Sequence, residues 1–196
     1  MSKAVLLPIL FFFAFGQAFA AITVPDAATM LENIKGQIPT LILMVTAISY
    51  VMGFFFVIKG IMELKKFGEQ RSMMSGEHHM TGPLVYLFVG ALLIYLPTSI
   101  HTGMLTLFAS PSPLAWDTST GDAFASIKDA VFLIVQLVGV ISFIRGLVIL
   151  THIGGGHGGQ PGNFGKALAH IIAGILCINL NGFLQVIAGT LGITWS

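Results

Sequence analysis

The stretch THIGGGHGGQPGNFGKA, Thr151 to Ala167, gathers seven glycines, a proline and two histidines within an otherwise apolar chain. Three chemistries are open to such a composition: a phosphate cradle, a metal site, or a flexible turn. A phosphate-binding loop has the form G-x-x-x-x-G-K-[ST] after a strand, so that backbone amides surround the phosphate. Counting back from Gly165-Lys166, the first glycine position falls on Gln160, and Ala167 replaces the Ser or Thr. The motif fails. Metal binding would draw on His152, His157 and His170, but the loop offers no cysteine or carboxylate partner, and flanking glycines leave ligands poorly organised. His78-His79, beside Glu77, lacks a further ligand at a useful spacing. No serine, threonine or cysteine stands in a nucleophile–base pattern, and no carboxylate pair lies in an apolar stretch. The sequence therefore predicts a flexible turn. It predicts no catalytic residue, no metal, no cofactor and no nucleotide or nucleic-acid binding, hence no enzyme.

What surrounds the loop is a membrane composition. Of 196 residues, 55% are hydrophobic and 9% charged, and the mean hydropathy is +0.91. A soluble domain of this length covers its core with more charge, whereas a chain solvated by lipid must satisfy its backbone within helices or a closed barrel. The apolar runs are long and lack strand alternation, which selects helices. The formal charge of +1 leaves no electrostatic footprint for acidic partners. Cys177 is the sole cysteine and sits in an apolar run, so no internal disulfide forms and a small buried apolar role is expected.

Residues 1–20 carry Lys3, an apolar stretch and Ala18-Phe19-Ala20, the grammar of a signal peptide or, if retained, of an N-terminal anchor. A periplasmic segment, 21–37, follows. Four further apolar segments, Ile38 to Met62, Pro83 to Ala109, Ala130 to Thr151 and Ala167 to Ile193, are each long enough for a hydrocarbon core of about 30 Å. The fold expected is thus an all-α membrane protein with four transmembrane helices, arranged as hairpins 38–109 and 130–196 about a periplasmic loop, 110–129. Lys59, Lys65, Lys66 and Arg71 flank the first connection, and Arg145 and Lys166 the third, which makes loops 63–81 and 152–166 cytoplasmic. The C-terminus is then periplasmic, and Trp116 and Trp195 fall near the outer interface.

The two hairpins look like copies of one unit. IKGIMELKKFG (Ile58 to Gly68) aligns with IRGLVILTHIG (Ile144 to Gly154), which pairs Lys59 with Arg145, Gly60 with Gly146 and, upstream, Gly53 with Gly139. After a two-residue change in loop length, VGALLIYLP aligns with AGILCINLN and pairs Gly90 with Gly174, Ile94 with Ile178 and Leu96 with Leu180. Two spans per unit make this a parallel repeat. Gly53, Gly60, Gly90, Gly139, Gly146 and Gly174 are candidate packing or assembly positions, because small residues let helix backbones approach. Lys59, Lys65, Lys66 and Arg145 are candidate membrane-anchoring cations, able to snorkel to headgroups. Pro97, and in the second unit Asn179, Asn181 and Gly182, should interrupt the outer portions of their helices.

The pattern GxxxxxKGIxxLKxxGE (Gly53 to Glu69) followed by GPLxxxxxGALLIYLP (Gly82 to Pro97) resembles the IcmC/DotE family of small inner-membrane proteins of the Dot/Icm type IVB secretion system, with IcmD/DotP, DotV and I-type conjugation counterparts as relatives. The second unit keeps less of it, with Arg145 for the lysine and Asn181 for the proline. The resemblance implies a structural component of an apparatus that moves effector proteins or conjugated DNA out of a bacterium, powered by separate ATPases. Its partners would be membrane lipids and other secretion-system membrane subunits, in a homo- or hetero-oligomer. The competing class is a small-solute channel or transporter formed by oligomerised duplicated hairpins; Thr46, Ser49, Gln136, Ser142, His170 and Asn179 are too scattered to outline a pathway within one chain.

Overall fold

The computed structural model describes residues 26–71, 81–109, 125–154 and 163–192. Residues 1–20, expected to be a signal peptide or N-terminal anchor, the His78-His79 loop, Trp116, His157 with the centre of the glycine loop, and Trp195 lie outside the described residues. All regular structure among the described residues is helical. In chain order the helices are α1 (Ala27–Arg71), α2 (Thr81–Ile94), α3 (Leu96–Phe108), α4 (Ala125–Gly154), α5 (Asn163–Ile178) and α6 (Leu180–Leu191).

Two of these, over Thr29–Glu69 and Ile127–Ile153, are long and apolar enough to cross a membrane. The helix α1 starts well before the apolar stretch expected from Ile38, and runs through Lys65 and Lys66 to Arg71. The difference has a simple cause. Hydropathy marks where a helix leaves hydrocarbon, whereas helix propensity continues through Leu, Glu and Lys until the chain must turn. Pro39, near the start of the apolar stretch, is accommodated inside α1.

The other two apolar segments are bent. Helices α2 and α3 meet at 92°, and α5 and α6 at 91°. Pro97, in the first turn of α3, carries no N–H and its ring would clash with the carbonyl of Leu93, so a straight helix cannot continue through it. The chain leaves helical geometry at Tyr95, with φ −99° and ψ 38°. In the second copy the break falls on Asn179, with φ −113° and ψ 57°.

The helix α1 lies antiparallel along α2, and α4 antiparallel along α5. Between the two pairs, α4 packs on both α1 and α2. The shared core consists of Val89, Leu93, Leu96 and Met104 from α2 and α3, with Val140, Phe143, Leu147, Ile175 and Ile178 from α4 and α5. At the N-terminal ends of α1 and α4, Lys35 Nζ donates to Asp129 Oδ2 at 3.1 Å, beside buried Ile38 and Ala130.

Candidate assembly surface

The candidate glycines form two seams of the same design. A methyl group at Gly53 would stand 2.8 Å from Gly90 O and 2.8 Å from Ile94 N; at Gly139 it would stand 2.8 Å from Gly174 O and 2.9 Å from Ile178 N. Seen from the other helix, a methyl at Gly90 meets Val57 N at 3.0 Å, and one at Gly174 meets Phe143 N at 2.8 Å. Gly60 faces Leu87 and Gly146 faces Ile171, again at matching positions. The sequence alignment of the two copies is therefore reproduced contact for contact in space. These six glycines are buried within the chain, where backbone-to-backbone approach leaves no room for a side chain.

The corners between the bent helices use polar groups the sequence alone did not pair. Because Pro97 supplies no N–H, the Leu93 carbonyl loses its helical donor, and fully buried Ser49 of α1 donates to it at 3.2 Å. Ser99 Oγ lies 3.0 Å from both Leu92 O and Tyr95 O, sharing its one proton between them. In the second copy Asn181 replaces Pro97 and retains its N–H, and Val135 stands at the Ser49 position. The Asn179 side chain instead caps α6, its Oδ1 accepting from Gly182 N at 3.2 Å. Pro97 itself is exposed at the corner.

The candidate cations lie within the C-terminal parts of α1 and α4. Lys59 Nζ donates to Tyr86 Oη at 2.9 Å and lies 4.3 Å from the ring centroid, and Tyr86 in turn tilts against Phe56 with ring centroids 6.0 Å apart. The equivalent trio in the second copy is Arg145, His170 and Ser142. There Ser142 Oγ lies 3.2 Å from the His170 carbonyl and 3.3 Å from its Nδ1. Donation to the carbonyl leaves Ser142 Oγ to accept from Nδ1–H. Arg145, Lys65 and Lys66 are exposed, and Lys65 lies 3.7 Å from Glu69 one helical turn on. Of the candidate metal ligands, exposed His152 turns its Nδ1 back to the Val148 carbonyl at 3.0 Å, while His170 belongs to the Ser142 pair. No group of three histidine, cysteine or acidic side chains gathers among the described residues. Cys177 is partly buried and unpaired.

Much of the remaining surface is apolar. Only 11% of the most apolar stretch of α1 is buried, against 28% for α4. Leu43, Val51, Phe54, Phe55 and Ile61 are more than half exposed along α1. Four threonine hydroxyls are closed off locally: Thr46 donates to Ile42 O, Thr102 to Thr98 O, Thr106 to Thr102 O and Thr190 to Val186 O. Polar groups satisfied within their own helix suit an environment without water. The chain is thus a membrane protein whose described surface suits lipids or other membrane proteins. No protein-family model, curated protein or solved structure matches it.

Proposed function

We propose that this chain is a structural, non-enzymatic inner-membrane component of a bacterial type IVB (Dot/Icm) secretion or conjugation-type apparatus, and that it supports translocation of effector proteins into host cells. In this reading the bent pairs are each one interrupted span, so that four spans form two parallel hairpins. Loops 63–81 and 152–166 face the cytoplasm, and loop 110–129 and the C-terminus face the periplasm. A 14-residue α2 is about 21 Å long, less than a hydrocarbon core of about 30 Å. Its corner at Tyr95 then lies within the bilayer, and α3 and α6 run along the outer leaflet.

The observation that carries the reading is the repeated glycine seam combined with the bare apolar flank of α1. Two closely packed, like-built pairs with almost no extramembrane domain contribute chiefly through their helix faces. The choice of apparatus rests on the resemblance of Gly53 to Glu69 and Gly82 to Pro97 to the IcmC/DotE family. Affinity purification of the tagged chain from its native membrane in mild detergent, with mass spectrometry of all retained proteins, tests it. Co-purifying secretion-system membrane subunits are expected. A lone homo-oligomer that conducts small solutes in liposomes would replace this reading with the channel.

A further inference from the structure

The contact between the two pairs is one-sided. The helix α4 packs on both α1 and α2, but α1 makes no comparable contact with α5. A two-fold arrangement would require both. An interface that is not self-complementary leaves one face unused at each end, and repetition of the same contact builds a ring or a filament.

Comparison of equivalent positions locates the two unused faces. Positions buried in both copies, such as Gly53 and Gly139, belong to the seam within a pair. Apart from residues such as Ser49 and Tyr86, which bond within their own pair, positions buried in only one copy mark the contact between pairs. On the inserting side, Ala130, Val140 (5% exposed) and Leu147 (1%) of α4 are buried, whereas their counterparts on α1, Met44, Phe54 (55%) and Ile61 (55%), are bare. On the receiving side, Val89 of α2 is buried and its counterpart Ala173 of α5 is exposed; Val85 is half-buried and Ala169 exposed.

The side-chain sizes on these two bare faces complement one another. Relative to the occupied interface, the inserting face of α1 is bulkier, with Met44 for Ala130 and Phe54 for Val140. The receiving face of the second pair is smaller, with Ala169 for Val85, Ala173 for Val89 and Cys177 for Leu93. Larger knobs thus match smaller holes, the volume-conserving relation that close packing demands. Because both pairs run the same way, a further copy added in this manner keeps the same orientation across one bilayer.

We infer that the bare face of α1 docks on the α4–α5 face of a second copy of this chain, head to tail, repeating the contact that already joins the two pairs within one chain. This rests on the membrane reading above and specifies one interface of that assembly. The repeat also selects a contact to test. Within the chain, a methyl at Gly103 of α3 would meet Ile175 Cδ1 at 2.6 Å. The equivalent positions are Ile187 of α6 and Ala91 of α2, both exposed. Ile187 of one copy should therefore adjoin Ala91 of the next.

Two differently tagged chains in a Cys177→Ala background, one with Ala91→Cys and the other with Ile187→Cys, are co-expressed and treated in native membranes with copper-catalysed oxidation or a short dithiol cross-linker. Cross-links between the two tags are expected, with none in membranes holding either single variant alone. The double variant should give a ladder beyond the dimer. Cross-linking of one single variant to itself would overturn the inference in favour of a two-fold contact. Absence of any cross-link, with the chain still folded and membrane-inserted, would overturn it in favour of lipid or another protein at α1. Co-purification of apparatus subunits despite that absence would leave the proposed function standing, so the two readings fail separately.

Discussion

Tyr95 and Asn179 occupy the same corner in the two antiparallel pairs, yet the polar groups that make the turn differ. The first corner combines a proline, which removes a donor, with Ser49 from the neighbouring helix, which restores one at Leu93 O. The second keeps its donor at Asn181 and caps the outgoing helix from Asn179. The bends nonetheless agree, at 92° and 91°. The shared element is the seam, Gly53 against Gly90 and Gly139 against Gly174. Seam geometry therefore specifies the pair, and the two corners turn with different polar groups.

The largest effect is expected where the copies agree. Gly53→Val and Gly139→Val each push a side chain into the opposing backbone, and each should destabilise the protein by about 3 kcal/mol or more in a detergent unfolding titration. If either is tolerated at full stability, that seam is not closed. The copies should part company at the corner. Ser49→Val leaves Leu93 O without its donor and should cost about 1–2 kcal/mol, whereas the same change combined with Pro97→Asn should cost little. A double-mutant cycle with no coupling would separate Ser49 from the proline. Asn179→Ala removes a cap found only in the second copy and should cost about 1 kcal/mol, read as a lowered unfolding midpoint. The smallest effect belongs to Asp129→Asn at the half-exposed Lys35 ion pair, a loss that should disappear in high salt because screening already weakens the pair.

The parts of this design legible in the sequence were those carried by residue type at repeated spacing. Gly53, Gly60, Gly90 and their counterparts announce close approach because only glycine brings no side chain, and Pro97 announces a break because its nitrogen cannot donate. In the sequence Ser49 is only one of several scattered polar groups, since a serine in an apolar run does not reveal which carbonyl it faces. The Lys59–Tyr86 bond and its replacement by Ser142 and His170 were equally silent. Those partners lie on different helices, and the register between helices fixes them. The helix α1 is apolar on all sides, so hydropathy alone does not separate the flank that corresponds to the packed face of α4 from the rest of its surface. The buried state of Val140 against the exposure of Phe54 supplied that distinction.

The central claim is that two like-built pairs share one orientation in a membrane, and cysteine accessibility tests it most directly. Gly36, Gly68 and Gly165 have open space where a side chain would project, so each tolerates cysteine in a Cys177→Ala background. With a membrane-impermeant thiol reagent applied to spheroplasts, Gly36→Cys should label from outside, and Gly68→Cys and Gly165→Cys only after the membrane is opened. Labelling of Gly68→Cys and Gly165→Cys from opposite sides would contradict the parallel arrangement and, with it, the assembly built on it.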